Sequence, residues 1–587
     1  MKKTIVAYRW DALGERMCAF LNAMYLADKF GYHFSFLWDP IFEENLSTHT
    51  FPNIPEKEYF FSKDFIKNHY FNENVKKIYN QWIESVWYSE NTFEAIKNKT
   101  MFEWGIFCPY QGNLSDQFMD IDKLTYERKI KKYWNSIKFS SQIQETIDSA
   151  NQTAVKLKNF IGIHIRTSDI TRRYNGNHMY LCLLKGFPIY LAVDIIEKIT
   201  TNIVLFGDDF EAIGDLKKQI YWRKNIFTVE ELIDLSKLDV VQRTIFDVVL
   251  MSKSAQIYAS GYSGFSNLAM RIGTCENMVS IYNYYSVEER YKILINNLKR
   301  YDFSIYQKSY AYIHLYEYSR NLNFCLNTQK KIILKGMKVR PDALIFSIFY
   351  INILFKECKF NKIEYFLSKK NLKLYLQNLL EPGWGIYLYH YLFKKYLIPR
   401  KNFYINCIAL YLIFDMLQKQ YFEFQKEMIC FLLYFRFNKK IEKKFNSIFD
   451  NTGNIIKYLK DLKKSILTNE HVFMQSACIR VYNHLSYKLG YYIVNNFNSF
   501  FDFIKLPFEL LKITKQHKRD IKLNKTKIKI DKNSLDFDKA LKEMESFTYK
   551  LGQEIINAHK NWYKGGYIFL WFRIIKLKKE IQKEEIK

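Results

Sequence analysis

Proline and glycine are scarce in this chain, with 9 and 20 residues among 587. That leaves little material for Pro-rich or Gly-rich low-complexity segments. The 9 cysteines (Cys18, Cys108, Cys182, Cys275, Cys325, Cys358, Cys407, Cys430 and Cys478) form no C-x-x-C pair. An odd, unpatterned set excludes a Cys-based metal cage and points to reduced thiols in a cytosolic protein. Long apolar runs are missing too. The windows "ALIFSIFYINILF" (343–355) and "CIALYLIF" (407–414) fall short of a membrane span. The N-terminal "MKKTIVAYRWDALGER" regains charge after a short apolar run, so no signal peptide is expected. A Gly-rich phosphate loop with a following lysine is absent, which disfavours a kinase. Helix-turn-helix, zinc-finger and RNA-binding signatures are absent as well, so no specific nucleic-acid partner is expected.

What is present is apolar, aromatic and basic. Apolar residues make up 48% and aromatics 18%, ample for globular packing, and 587 residues exceed one core. The excess of Lys, Ile, Asn and Tyr has a bland source in an AT-rich genome. The net charge of +28 is unevenly placed. Residues 301–587 hold about 51 Lys plus Arg against about 25 acids, while residues 1–300 hold about 37 against about 35. Such a surface fits an anionic partner: a phospholipid leaflet, an anionic glycan or nucleic acid. A merely solvated surface with a genomic lysine bias is the competing explanation.

Along the chain, "TIVAYRW" (4–10) reads as a buried strand. A Gly turn follows at Gly14, then a helix with Met17, Phe20, Leu21, Met24 and Tyr25 at helical spacing, closed by Gly31. "HFSFLWD" (33–39) reads as the next strand, completing a βαβ unit. Residues 40–150 read as mixed and more helical, with Trp82, Trp87, Trp104 and Trp134 serving the core. A second alternation follows: strand 160–166, helix 188–200, strand 203–209, helix 244–254, strand 255–260, a "GYSG" turn and helix 265–273. This is the pattern of a doubly wound parallel sheet, whose ligands bind beyond the carboxyl ends of the strands. The expected division is 1–150 as an acceptor-side Rossmann-like domain, 151–298 as a donor-binding Rossmann-like domain, and 299–587 as a basic, mainly helical region. In the last, 512–533 reads as a linker or surface arm. "HLSYKLGYYIVNN" (484–496) and "SFTYKLGQEIINA" (546–558) read as a duplicated helix-turn unit. An amphipathic surface docking on anionic lipid is the functional alternative for that repeat.

Chemistry concentrates at strand ends. "FIGIHIRTSDITRR" (160–173) ends a buried strand in charge. Arg166 emerges there and can fork onto two phosphate oxygens, Asp169 can hold that guanidinium or accept from a ligand, and Arg172 and Arg173 add positive potential. A structural Arg–Asp pair at the sheet edge is the bland reading. "LFGDD" places Asp208 and Asp209 at the next strand end, as contacts for a base or sugar hydroxyls, or as helix caps. Two adjacent acids with no third ligand make a poor metal site, and none is expected. "ASGYSGFSNLAMRIG" is a small-residue turn entering a helix, whose N–H groups, with Ser263, Gly264 and Ser266, suit a pyrophosphate. "DALGERMCAFLNA" offers a second such step, with Asp11, Glu15 and Arg16.

These segments together resemble the fucosyltransferase superfamily that carries an H-x-R-x-x-D signature. The layout is similar to the α1,6, α1,2 and O-fucosyltransferases, over about residues 1–295. The resemblance extends to the sugar transferases of Campylobacter-type capsule and lipooligosaccharide loci. It implies a GT-B fold, a nucleotide-sugar donor, GDP-linked in this superfamily, no cofactor or metal, and an inverting displacement. By motif it places Arg166 on the donor pyrophosphate, with His164 orienting the loop and Asp169 as the motif acid. It likewise places Asp208 or Asp209 on the donor, often its base, and Asp247 and Ser263 along the nucleotide and phosphates. Thr167 and Ser168 depart from the family's usual Arg-Arg or Arg-x-Gly-Asp and leave the donor sugar open.

The expected function is therefore a glycosyltransferase moving a fucose-like or other sugar to a capsular or lipooligosaccharide acceptor. It would be cytoplasmic and peripheral on an anionic inner membrane through its C-terminal half. Arg166 would carry the largest stabilisation, helped by Arg172, Arg173 or Arg16, with Asp11 or Glu15 as general base. Transfer of another nucleotide-activated group, such as O-methyl phosphoramidate, would use the same arginine and turn. A non-enzymatic basic scaffold is the remaining alternative.

Overall fold

In the computed structural model the chain forms two compact units, Met1–Ser347 and Ile348–Lys587. The structure describes residues 3–41, 54–71, 81–173, 181–223, 225–261, 263–273, 278–380, 382–383, 386–387, 389–398, 400, 402–419, 424–435, 437, 439–448, 453–468, 481, 484–496, 510–515, 517–519, 540–541, 544–561, 570 and 573.

The first unit holds two parallel sheets. β1 (Thr4–Ala7) leads into α1 (Leu13–Phe30), which ends at Gly31 in the left-handed conformation, φ 71°. Glycine adopts that conformation without strain. β2 (His33–Phe36) returns parallel to β1, with Thr4 opposite His33. β3 (Gly105–Cys108) pairs with the other edge of β1, giving the order β2-β1-β3. β3 is buried throughout. A four-residue run of this kind carries no period of its own, which is why 40–150 reads as merely mixed in sequence. Trp87 and Trp134 are buried in the core, and Trp104 packs against it. The Trp82 side chain lies outside the described residues.

Two helices follow, α2 (Lys123–Ser136) and α3 (Ser141–Leu157). The second sheet comprises β4 (Phe160–Ile165), β5 (Asn202–Gly207), β6 (Ile226–Thr228), β7 (Gln256–Ala259) and β8 (Met278–Ser280). Their order is β6-β5-β4-β7-β8, all parallel. Chain order runs outward from β4 in one direction through β5 and β6, and in the other through β7 and β8. The reversal beside β4 is the switch point at which open α/β sheets leave a crevice. The connecting helices are α4 (Ile189–Lys198), α5 (Phe210–Gln219), α6 (Val240–Met251) and α7 (Gly264–Ile272). α1 packs on α7 and α3 on α6, so one hydrophobic core runs through both sheets, from Ile5 to Ile272. Three further helices close the unit: α8 (Val287–Arg300), α9 (Ile305–Asn321) and α10 (Leu326–Val339).

The second unit is helical among its described residues, apart from a two-strand pair at Pro382–Gly383 and Ile386–Tyr387. Its duplicated segments form α11 (Leu485–Asn496) and α12 (Phe547–Lys560). These helices pack reciprocally. A methyl on Gly490 would stand 1.7 Å from the Thr548 carbonyl oxygen, and one on Gly552 would stand 1.6 Å from that of Ser486. Ser486 and Thr548 are the matching positions of the two copies, so the contact is reciprocal and nearly two-fold. Leu489, Leu551 and Ile555 fill the contact. Of the 512–533 arm, residues 512–515 and 517–519 are helical and the remainder lies outside the described residues. No described helix is long and apolar enough to cross a membrane.

Candidate functional site

Two helix beginnings meet at the carboxyl edge of the sheets. Gly14, in the first turn of α1, lies directly on Gly264, the first residue of α7. A methyl on Gly14 would stand 2.6 Å from both the Gly264 carbonyl carbon and the Phe265 nitrogen. Gly264 in turn carries Glu15, whose Oε2 would be 2.5 Å from a methyl placed there. The glycines of "ALGER" and "YSGFS" thus serve close approach. Neither N-cap, Ala12 or Ser263, makes a side-chain cap. Both helices therefore turn backbone N–H groups and positive dipole ends towards this junction.

The end of β4 adjoins it. The His164 ring lies 5.1 Å from that of Phe265 in the turn. Arg166 follows, half-buried. Its loop is held by both acids of the neighbouring strand end. The Thr167 and Ser168 N–H groups donate to Asp208 Oδ1 at 2.9 and 3.1 Å. Asp209 caps α5 by accepting from the Ala212 N–H at 3.1 Å. Its Oδ2 accepts from Gln307 Nε2 at 3.1 Å, and the same amide donates to Thr167 Oγ1 at 3.0 Å. Gln307 belongs to α9 and is 1% exposed, so this is a dry network joining three separate segments.

The flanking basic residues have partners of their own. Arg172 is paired with Glu211 at 2.6 Å and with Asp209 at 3.4 Å. Its guanidinium and that of Arg340 each stand 4.8 Å from the ring centre of Tyr306. Arg340 also donates to the Thr171 carbonyl at 3.2 Å. The backbone of Asp169–Arg173 forms one π-helical turn. The side chains of Asp169 and Arg173 lie outside the described residues. Ser263 and Ser266 are buried, and the Ser266 hydroxyl donates to the Ser263 carbonyl at 3.2 Å.

At the edge of the first sheet, Arg9 joins two carboxylates. Its Nε donates to Asp11 at 2.7 Å and its Nη1 to Glu84 at 3.0 Å. Arg16 donates to the carbonyls of Asp11, Asp39 and Trp10, and burial pushes its guanidinium down to about 10. It fixes the β1 and β2 loops to each other. Glu15 lies 3.6 Å from Lys185. Exposed Trp10 stands beside this cluster.

Asp247, on α6, faces Arg243 at 3.9 Å. Arg243 pairs with Glu230, just after β6, and lies 3.6 Å over the ring of Phe210, just after β5. Burial pushes the Asp247 carboxyl up to about 7, against the attraction of Arg243 and with the help of Glu230. Its Oδ1 is buried with no hydrogen-bond partner among the described residues.

The structure therefore brings together Glu15, His164, Ser263, Gly264 and Ser266, with Arg166 two residues beyond His164 at the end of β4. Asp208 and Asp209 back the Arg166 loop, Asp11 and Arg16 lie at the first sheet's edge, and Asp247 lies in the Arg243 cluster. Sequence reading missed Gln307, Lys185, Arg9 and Arg340. Ser304, three residues before Gln307, marks a helix start, but nothing local shows that this helix reaches β4. Among the described residues no group of His, Cys, Asp or Glu is placed to hold a metal ion.

Comparison with known proteins adds three findings. Residues 408–583 match a family model described as a domain of unknown function, DUF8374. No curated protein matches. Similar solved structures include the fucosyltransferase NodZ from Bradyrhizobium, 13% identical at a TM-score of 0.29, covering 48% of this chain and 96% of that one. NodZ α-1,6-fucosyltransferase co-crystallised with GDP is 14% identical at a TM-score of 0.29, with the same coverage. POFUT1 in complex with GDP is 12% identical at a TM-score of 0.27, covering 48% and 97%. Likeness at these scores does not by itself establish a shared fold.

Proposed function

We propose that the first unit is a glycosyltransferase that moves a sugar from a nucleoside-diphosphate donor, GDP-linked by the motif resemblance, to a glycan hydroxyl. The observation that carries this reading is the junction of Gly14 with Gly264 beside the Arg166 loop. Two helix N-termini without side-chain caps meet there, beside the end of β4 that carries Arg166 and at a sheet switch point, which is an environment for a diphosphate.

The reaction is a single displacement. The acceptor oxygen attacks the anomeric carbon, the bond from that carbon to the diphosphate oxygen breaks, and the nucleoside diphosphate leaves. Negative charge grows on the leaving group, and in this reading Arg166 and the N–H groups of the 263–266 turn stabilise it. The acceptor proton goes to a carboxylate. Asp11 is committed to Arg9, which it shares with Glu84. Glu15 carries a single lysine contact at 3.6 Å and lies on the turn itself, so we assign the base to Glu15. In this reading residues 1–150 face the acceptor and 151–298 the donor. The acceptor is a capsular or lipooligosaccharide glycan, inversion follows from the single displacement, and the basic second unit holds the enzyme to an anionic membrane.

The test is a thermal-shift panel of GDP, UDP, CDP and their sugar derivatives on the full chain. One base should stabilise strongly and Arg166→Ala should remove the effect. Equal responses to all three, or none, would reject the reading.

A further inference from the structure

Arg271 lies on α7, on the flank packed against α1 and α2. It is 8% exposed. Its Nε and Nη1 are both buried and have no hydrogen-bond partner, and it forms no ion pair among the described residues. Every other buried arginine described in this unit has partners: Arg9 has Asp11 and Glu84, Arg16 has three carbonyls, Arg290 has the Ser286 carbonyl, and Arg340 has Asp342 and Thr171.

The groups around Arg271 are neutral and largely committed elsewhere. Its positive field reaches the Cys18 thiol and the Tyr110 and Tyr126 phenols, in each case opposing the upward push of burial. The Tyr126 hydroxyl donates to Asn22 Oδ1 at 2.6 Å. Asn22 spends its amide protons on the carbonyls of Tyr110, at 2.7 Å, and Gly112, at 2.9 Å. Asp116 is the weakest of the acidic influences on the guanidinium. A buried guanidinium with two unpaired donors and no ion pair among the described residues is costly, because burial strips the hydration of those donors.

We propose that Arg271 is the anchor of an oxyanion site at the seam of the two sheets, separate from the donor position at Arg166. Nε–H and Nη1–H leave the guanidinium on different sides, and each offers an oxyanion of a carboxylate or phosphate one charge-assisted hydrogen bond. Arg271 comes from the second sheet's α7, whereas Cys18 and Tyr110 come from the first sheet's helix and strand end, so an anion held there ties the two sheets together. The shared chemistry has two sources: free phosphate, or the acid group of an anionic acceptor sugar.

The test uses the full chain carrying Arg166→Ala, so that the donor position does not contribute. Its melting temperature is titrated with sodium phosphate and with sodium glucuronate against sodium chloride at matched ionic strength. A dose-dependent rise above the chloride control is expected for at least one oxyanion. Phosphate alone identifies the free ion as occupant, and glucuronate alone identifies a sugar acid. Adding Arg271→Met should abolish the rise, and in chloride this variant should melt no lower than its parent, since the unpaired charge is gone. Arg271→Gln gives the same reading should the methionine variant fail to fold. No oxyanion-specific rise in the Arg271 protein, or an undiminished rise in either variant, would overturn the proposal.

Discussion

Gly14 and Gly264 touch backbone to backbone, each the first or second residue of a helix and each from a different sheet. The contact leaves no room for a side chain on Gly14, and on Gly264 only where the Glu15 side chain moves away. A methyl on Gly14 meets backbone atoms at 2.6 Å, whereas one on Gly264 meets the far end of the Glu15 side chain at 2.3 Å. The two substitutions should therefore differ. Gly14→Ala must push the helices apart and should cost about 1–3 kcal/mol in urea unfolding, with donor binding lost. Gly264→Ala need only displace Glu15, so it should keep most of the stability while lowering turnover. Equal destabilisation by both would contradict this geometry.

Gln307 ties Thr167 to Asp209 from a helix 140 residues beyond the first and 98 beyond the second. Gln307→Leu leaves a buried carboxylate oxygen and a buried hydroxyl short of a partner. It should cost roughly 1–3 kcal/mol. It should also weaken donor binding by loosening the Arg166 loop. Gln307→Glu places a second carboxylate against Asp209 and should be worse. Calorimetric titration with the winning nucleotide checks both, and unchanged affinity in Gln307→Leu would show that the loop does not depend on α9.

Asp247 sets a pH dependence. Its carboxyl, pushed up to about 7, keeps a proton in the folded state that the unfolded chain has already released. Its contribution to stability is thus full below about pH 4, falls as pH rises towards 7, and is flat above that. Asp247→Asn removes the dependence. Relative to the parent, the variant should gain roughly 2–4 kcal/mol between pH 4.5 and 7.5, read by urea unfolding. A constant difference between the two proteins across that range would refute the buried-acid assignment.

The repeat in the second unit carries its own test. Gly490 and Gly552 occupy equivalent places in a reciprocal helix pair. Gly490→Val and Gly552→Val should destabilise that pair to a similar degree, each by at least about 1–3 kcal/mol. Together they should cost less than the sum, because either one already parts the helices. Near-neutral effects would show that the helices do not pack through these residues.

Much of this architecture is visible in the sequence. The two strand-helix alternations stand out because each buried strand is bounded by a Gly turn or a charged cluster, as "FIGIHI" is by Arg166. The small-residue turns at Gly14 and Gly264 are legible as helix starts, but their mutual contact is not, since no local period encodes which helix meets which. β3 is hidden because four buried residues have neither alternation nor helical spacing. The backing of the Arg166 loop is hidden for another reason: Asp208, Asp209 and Gln307 act across strands and across the chain. Sequence alone leaves those two acids open between ligand contact and cap, and the structure gives each a backbone N–H partner.

The central claim is that Arg166 meets a diphosphate between the two helix beginnings. Calorimetric titration of the full chain with the preferred nucleoside diphosphate, beside Arg166→Ala, tests it most directly. The expected result is one site per chain, with affinity falling about 30-fold to 1,000-fold in the variant, which corresponds to the roughly 2–4 kcal/mol of a charge-stabilising donor. A variant that folds and binds as tightly as the parent would contradict it.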